Sequence, residues 1–190
     1  MKTLLISQAT LQSKSIINDN VDWEMIKPVV EVVQDLYLQK LIGTDLFKKL
    51  QTDVDNLINS STPIPTNYKT LIDNYITDYL CWMIVAHSGD VIKYRYMNKG
   101  VMEKNSDNSS PISAEALEGI TKKWLNYAEQ YGQNLIKYIE NNLTLYPEYS
   151  TNTGHEDTPT GTAYDSPFIF PSQFHDFDIQ QRDWWNRNTF

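Results

Sequence analysis

The chain has a single cysteine, Cys81, in 190 residues, so it cannot close an internal disulfide, and its cysteine usage does not suggest an oxidising compartment. Long apolar runs are missing too. No stretch approaches the roughly 18 residues that cross a bilayer, and the run from Met1 to Ile6 is too short for a signal-peptide core. A protein that stays in a cytoplasm or an intracellular assembly is expected. Basic residues are sparse and scattered, 16 Lys and Arg against 24 Asp and Glu, for a formal net charge of -8. Gripping phosphates needs clustered Lys and Arg, so nucleic-acid binding through the backbone is not expected. An acidic surface matters to DNA only where DNA must slide past without sticking.

Catalytic signatures are equally scarce. There is no Gly-rich phosphate loop, Gly-x-Ser-x-Gly, His-Glu-x-x-His or Cys-x-x-Cys. Only His155-Glu156-Asp157 and His175-x-x-Asp178 come near metal-ligand spacing, and a solvated or structural role explains each histidine, His87 included. Cys81, within Leu80-Cys81-Trp82-Met83, reads as a small buried hydrophobe. His87 lies six residues on and does not share its helix face. Asp53 and Asp55 point to different sides of a helix, so they form no general acid and base pair and read as a solvated face. No enzyme, metal or cofactor is expected.

What the chain does have is helical periodicity over residues 1–150. The opening, Thr3 to Asn20, reads as an extended arm with one helical turn around Ser7 to Ser13. Asp19 or Asp22 can cap a helix over Trp23 to Ile42, with Pro28 in its early part and Gly43 as its stop. A second helix, Thr44 to Asn59, ends in the Ser-Ser-Thr-Pro-Ile-Pro run from Ser60 to Pro65. Thr66 caps a third over Asn67 to Ala86, the most apolar of the set, with Gly89 closing or kinking it. From Val91 to Pro111 the pattern fades into a polar loop. Ser113 then caps a last long helix to about Asn142, using Leu117, Ile120, Trp124, Tyr127, Ala128, Tyr131, Leu135, Tyr138 and Ile139, which Pro147 terminates. The fold expected is all-α: an antiparallel four-helix bundle with an extended N-terminal arm and a long irregular aromatic tail.

That tail, residues 151–190, is built from different material. It holds five of the six Phe residues (Phe168, Phe170, Phe174, Phe177, Phe190) with Trp184, Trp185 and Tyr164, yet no Leu, Val or Met. Large anchors with almost no aliphatic filler do not make an ordinary core, because too little apolar area is buried to offset chain entropy. Gly154, Pro159, Gly161, Pro167 and Pro171 rule against a long helix. Three fates stay open: wrapping over its own domain, docking on a neighbouring subunit or partner, and disorder. The docking reading makes Phe168, Phe170, Phe174, Phe177, Trp184, Trp185 and Phe190 partner-binding residues. The segment divides the chain into a body, 1–150, and a docking tail, 151–190.

One ordered set of short strings carries a resemblance: the Asn20 to Glu24 helix start, Leu41-Ile42-Gly43-Thr44, Leu46-Phe47-x-x-Leu50, a helix led by Tyr68, Asn98-Lys99-Gly100-Val101, and Tyr146-Pro147-Glu148-Tyr149. In this order they are similar to a family of small proteins from tailed phages of Bacteroidales, the crAss-like group among them, whose architecture resembles that of head-tail connector or adaptor proteins. The resemblance spans about residues 3 to 150. It implies a structural virion protein of the phage neck, a ring beneath the portal, dodecameric to match it. It also implies a tail docked on the portal protein, a neighbouring copy or another neck ring, and double-stranded DNA passing through without specific binding. The loop from Met97 to Ser110 is a candidate for lining the channel. Two other classes stand beside this: a soluble helical adaptor holding one protein partner through its tail, and an enzyme whose tail covers a site built from His87, tyrosines and carboxylates.

Overall fold

The structure is a computed structural model that describes residues 3–97, 100–103, 112–150 and 159. These are mostly helical, with one small hairpin. Helix α1 (Gln8–Lys14) is capped by Ser7, whose hydroxyl accepts from the Thr10 amide at 3.2 Å. The segment around it is not the extended arm its polarity suggests. Leu5, Ile6, Leu11 and Ile17 are buried in the main core, the Leu5 amide donates to the Gln34 side chain at 2.6 Å, and the Lys14 ammonium reaches the Asp73 carbonyl and the Asp78 carboxylate. A few apolar side chains at the right spacing outweigh a polar average.

Helix α2 (residues 23–42) starts on Asp22, which accepts from the Glu24 amide, and stops on Gly43. Pro28 is its sixth residue, inside the helix and past the positions where a missing donor is free, so it forfeits one ladder bond. A π turn at Gln34–Leu38 interrupts α2, and a second, at Ile72–Ile76, interrupts α4 (residues 66–93). The second is held by Thr77, whose hydroxyl donates to the Ile72 carbonyl at 2.7 Å. Gly43 has φ +80° and ψ 156°, a region essentially closed to side chains. Its amide closes α2 and its carbonyl opens α3 (Thr44–Ser60), which makes the sharp corner between them.

Three other boundaries differ from the pattern. Pro65, not Thr66, precedes the first residue of α4. Gly89 does not end α4, which runs on to Lys93; a Cβ there would stand 3.1 Å from the Leu117 side chain, so the glycine permits close approach of two helices. Within the segment read as a polar loop, β1 (Tyr94–Met97) pairs antiparallel with β2 (Gly100–Glu103), Tyr94 opposite Glu103 and Met97 opposite Gly100. Asn98-Lys99-Gly100 between two short alternating stretches is the hairpin signal that polarity alone obscures.

Helix α5 (Ala114–Asn141) is capped by Ser113 and ends before a 3-10 turn at Leu143–Leu145. Pro147 therefore does not terminate it. It begins the single turn α6 (Pro147–Ser150), where its lack of an amide donor costs nothing. The core gathers α2, α3, α4, the segment around α1 and the second half of α5, around Val30, Leu38, Leu46, Leu71, Leu80 and Leu135.

Candidate functional site

Two regions stand out, and the first is a latch on the chain after α5. The Tyr146 ring is fully buried, and its hydroxyl donates to the Asn67 carbonyl at 3.0 Å, while the Asn67 amide group returns a bond to the Leu145 carbonyl at 2.9 Å. Two residues on, both Glu148 oxygens accept from the Tyr68 hydroxyl, at 2.9 and 2.8 Å. Burial first, and then this carboxylate, holds the Tyr68 hydroxyl well above the ordinary tyrosine range. Burial and the Tyr138 hydroxyl do the same to Tyr146. Tyr138 in turn stacks on Tyr75 with ring centroids 4.0 Å apart. Below the latch the Lys49 ammonium pairs with Asp53 and lies 4.9 Å from the Tyr68 ring centroid. Asp53 is buried rather than solvated, because α3 turns it toward this cluster. The two strings quoted for the family resemblance, Tyr68 and Tyr146-Pro147-Glu148, thus touch each other. Pro159 adds a third tie: a Cβ on Gly43 would meet its ring at 2.8 Å, so the chain at 159 is seated against the corner between α2 and α3.

The second region is the first half of α5. No residue from Ala114 through Tyr127 is buried, and its apolar side chains form a stripe at helical spacing, with Ile120 39%, Tyr127 40% and Tyr131 38% exposed and Trp124 half-buried among them. The Trp124 ring stacks on Trp82 of α4 at 5.2 Å, Tyr127 meets Trp82 edge-on at 5.3 Å, and the Lys123 ammonium lies 5.2 Å from the Trp124 centroid. Where the segment 16–21 meets the end of α4 and the first half of α5 an open groove of about 300 Å³ remains, its apolar lining including Ile16, Val85, Ile92, Leu117, Ile120 and Trp124. A second hollow of about 700 Å³ separates residues 3–7 from the end of α3, where Ile58 is exposed.

The anchors named from sequence, Phe168, Phe170, Phe174, Phe177, Trp184, Trp185 and Phe190, lie outside the described residues, as does most of the loop from Met97 to Ser110. Cys81 is buried, and burial pushes its thiol up to about 12, far from a reactive thiolate. His87 lies against Tyr37 with ring centroids 4.8 Å apart, its Nε2 buried without a hydrogen-bond partner, and burial lowers its pKa. Among the described residues no group of three or more His, Cys, Asp or Glu could hold a metal ion. Of the groove residues, Ile16 falls in the segment that the sequence reads as an extended arm, and Ile120 and Trp124 on the apolar face of the last helix. Their helical spacing is the same as a core stripe, so only the packing separates the two.

Residues 38–159, more than half of the chain, match the model of a family described as a family of unknown function, DUF6712. The chain belongs to this family. No curated protein and no solved structure matches it. The matched segment runs from the π turn of α2 to Pro159, and so contains both sides of the latch and the Gly43 corner.

Proposed function

We propose that this chain is a structural ring protein of a phage neck, a head-tail connector or adaptor between portal and tail, built on an antiparallel four-helix bundle as the ring wall. The observation that carries the reading is the latch. Two of the six strings on which the connector resemblance rests, the Tyr68-led helix and Tyr146-Pro147-Glu148-Tyr149, tie the chain after α5 to the body, through Tyr68 to Glu148 and Tyr146 to Asn67. A docking tail needs such a fixed point of departure, because a contact transmits force and register only if its root is rigid. The exposed aromatic stripe on α5 supports the same reading, since apolar surface of that kind marks protein contact.

The mechanism is mechanical and electrostatic rather than catalytic. One subunit repeated about an axis, twelve times to match the portal, buries a heterologous surface that closes by rotation. Phe168, Phe170, Phe174, Phe177, Trp184, Trp185 and Phe190 anchor the tail on the portal or on a neighbouring copy. The net charge of -8 keeps double-stranded DNA moving through the ring without being held. Quantitative mass spectrometry of purified particles, normalised to the portal, tests this. A ratio near one copy per portal subunit is expected, and absence from particles would sink the connector and favour an adaptor with a single soluble partner.

A further inference from the structure

We propose that residues 3–21 form a hinged lid over α4, closed in this structure, which lifts as one piece while α2 to α5 stay folded and so controls access to Cys81 beneath it. The lid is independent of whether the chain builds a ring.

The closed lid lies where the thiol is. Leu11 of α1 is buried in the core, and at the end of α1 the Lys14 ammonium donates to the Asp73 carbonyl at 2.9 Å and to the Asp78 carboxylate at 2.8 Å, both on α4. Cys81 stands one helical turn beyond Asp78 and is 1% exposed. Burial and then the Asp78 carboxylate raise the pKa of its thiol while the Lys14 ammonium lowers it, so the Lys14 to Asp78 bridge is within electrostatic reach of the sulfur. The end of α1 therefore sits above the stretch of α4 that carries Cys81.

The segment is attached to the body only in part. Helix α1 has seven residues, too few to persist without its seat. Each end of the segment adjoins open space, the hollow of about 700 Å³ at residues 3–7 and Thr10 and the groove of about 300 Å³ at residues 16–21. Side chains that face a hollow forgo the dispersion contacts of a closed core. Leu5, Ile6, Leu11 and Ile17 are buried, but Ser7, Gln8, Ala9, Ser13 and residues 18–20 are exposed. The Lys14 and Asp78 side chains are 40% and 31% exposed, a setting in which an ion pair holds weakly, and the bond from Gln51 to the Thr3 carbonyl is long at 3.4 Å. A hinge lies where the segment meets α2: the Val21 amide donates to the Asn18 carbonyl at 3.1 Å, and Asp22 then caps α2 through the Glu24 amide. Helix α2 thus carries its own cap and begins without the lid.

Labelling of Cys81, the single thiol of the chain, with N-ethylmaleimide in the native full-length protein, followed by mass spectrometry, tests the lid. Lifting a lid exposes little surface, so the labelling rate is expected to rise with urea far less steeply than global unfolding does. Lys14→Gln, at an exposed position, is expected to speed labelling about two- to fivefold, and Leu11→Ala roughly tenfold or more. Ile139→Val, in the buried second half of α5, weakens the whole fold and is expected to leave the rate unchanged, because Ile139 keeps its neighbours when the lid lifts. Lys14→Gln carries the test where Leu11→Ala does not fold. Labelling with the full urea slope of unfolding, a rate quickened by Ile139→Val as much as by Lys14→Gln, or a rate that ignores the lid substitutions each overturns the proposal.

Discussion

The two halves of α5 belong to one uninterrupted helix, yet they meet different surroundings. From Ala128 onward, Ala128, Gly132, Leu135, Ile136 and Ile139 are buried against the core, and the chain beyond is fixed by Tyr146. Before Ala128 no residue is fully buried: Trp124 and Leu125 only edge the core, Ile120 and Trp124 line a groove, and Tyr127 continues the same apolar periodicity. A helix that keeps its apolar stripe after leaving the core has surface still to cover. An exposed pair at i and i+4, Glu118 with Lys122 at 2.7 Å, lies on this half. The contrast separates residues that hold the fold from residues open to a contact.

The largest effect that can break this contrast is Leu135→Ala, expected to cost about 2–5 kcal/mol because it leaves a cavity in a closed core. Ile120→Ala is expected to change stability by less than about 0.5 kcal/mol. Urea midpoints of the two variants would collapse the distinction if they shifted alike. Next is Gly43→Ala, where φ +80° and ψ 156° and the 2.8 Å approach to Pro159 oppose any side chain. A loss of about 1–3 kcal/mol is expected, together with faster proteolysis between residues 150 and 159; an unchanged melt would show that the corner can relax.

Loss of the latch bond in Tyr68→Phe is expected to cost about 1.5–3 kcal/mol, as for hydrogen bonds to charged groups. It should also ease the alkaline transition of the protein. Tyr68, Tyr79 and Tyr146 are all held above the ordinary tyrosine value, so their neutral forms favour the folded state. Stability from these groups is complete below about pH 10, where unfolded tyrosine begins to ionise, and falls as pH rises above it. His87 works at the other end. Its lowered pKa means that stability is complete above about pH 6.5 and falls as pH drops through the folded value. His87→Gln should flatten the acid limb of a denaturation profile and leave the alkaline limb unchanged.

A small effect of the opposite sign is expected from Gly89→Ala. Helix propensity gains up to about 1 kcal/mol, and Leu117, half-buried at the edge of the groove, can turn away from the new methyl group. A slight stabilisation in a thermal melt would place Leu117 at a yielding surface, and a marked loss would mean the helices are as tightly held there as near Leu135.

Much of the architecture was legible because its signals are local. Asp22 and Ser113 as caps, Gly43 as a stop and the Pro63 to Pro65 break act over a few residues, and so do the 3.6-residue apolar stripes. The errors came where locality fails. The segment around α1 reads as an extended arm with one helical turn; the turn is there as α1, but four apolar residues in a polar stretch gain their weight only from the core they enter. Gly89 reads in sequence as a stop or a kink, and the stop fails because a glycine that admits a neighbouring helix has the same letter as one that ends its own. The hairpin after Lys93 lay under a polar composition that its turn residues partly share.

The sequence by itself determined the helical class, the caps and the change of material after residue 150, since each follows from backbone chemistry or from composition. Only the tertiary structure decided that Tyr68 meets Glu148, that Pro159 returns to Gly43, and that the apolar stripe of α5 is half core and half open groove. Burial depends on which distant segment arrives opposite a side chain, and the spacing of residues along one helix is the same whether that partner comes or not.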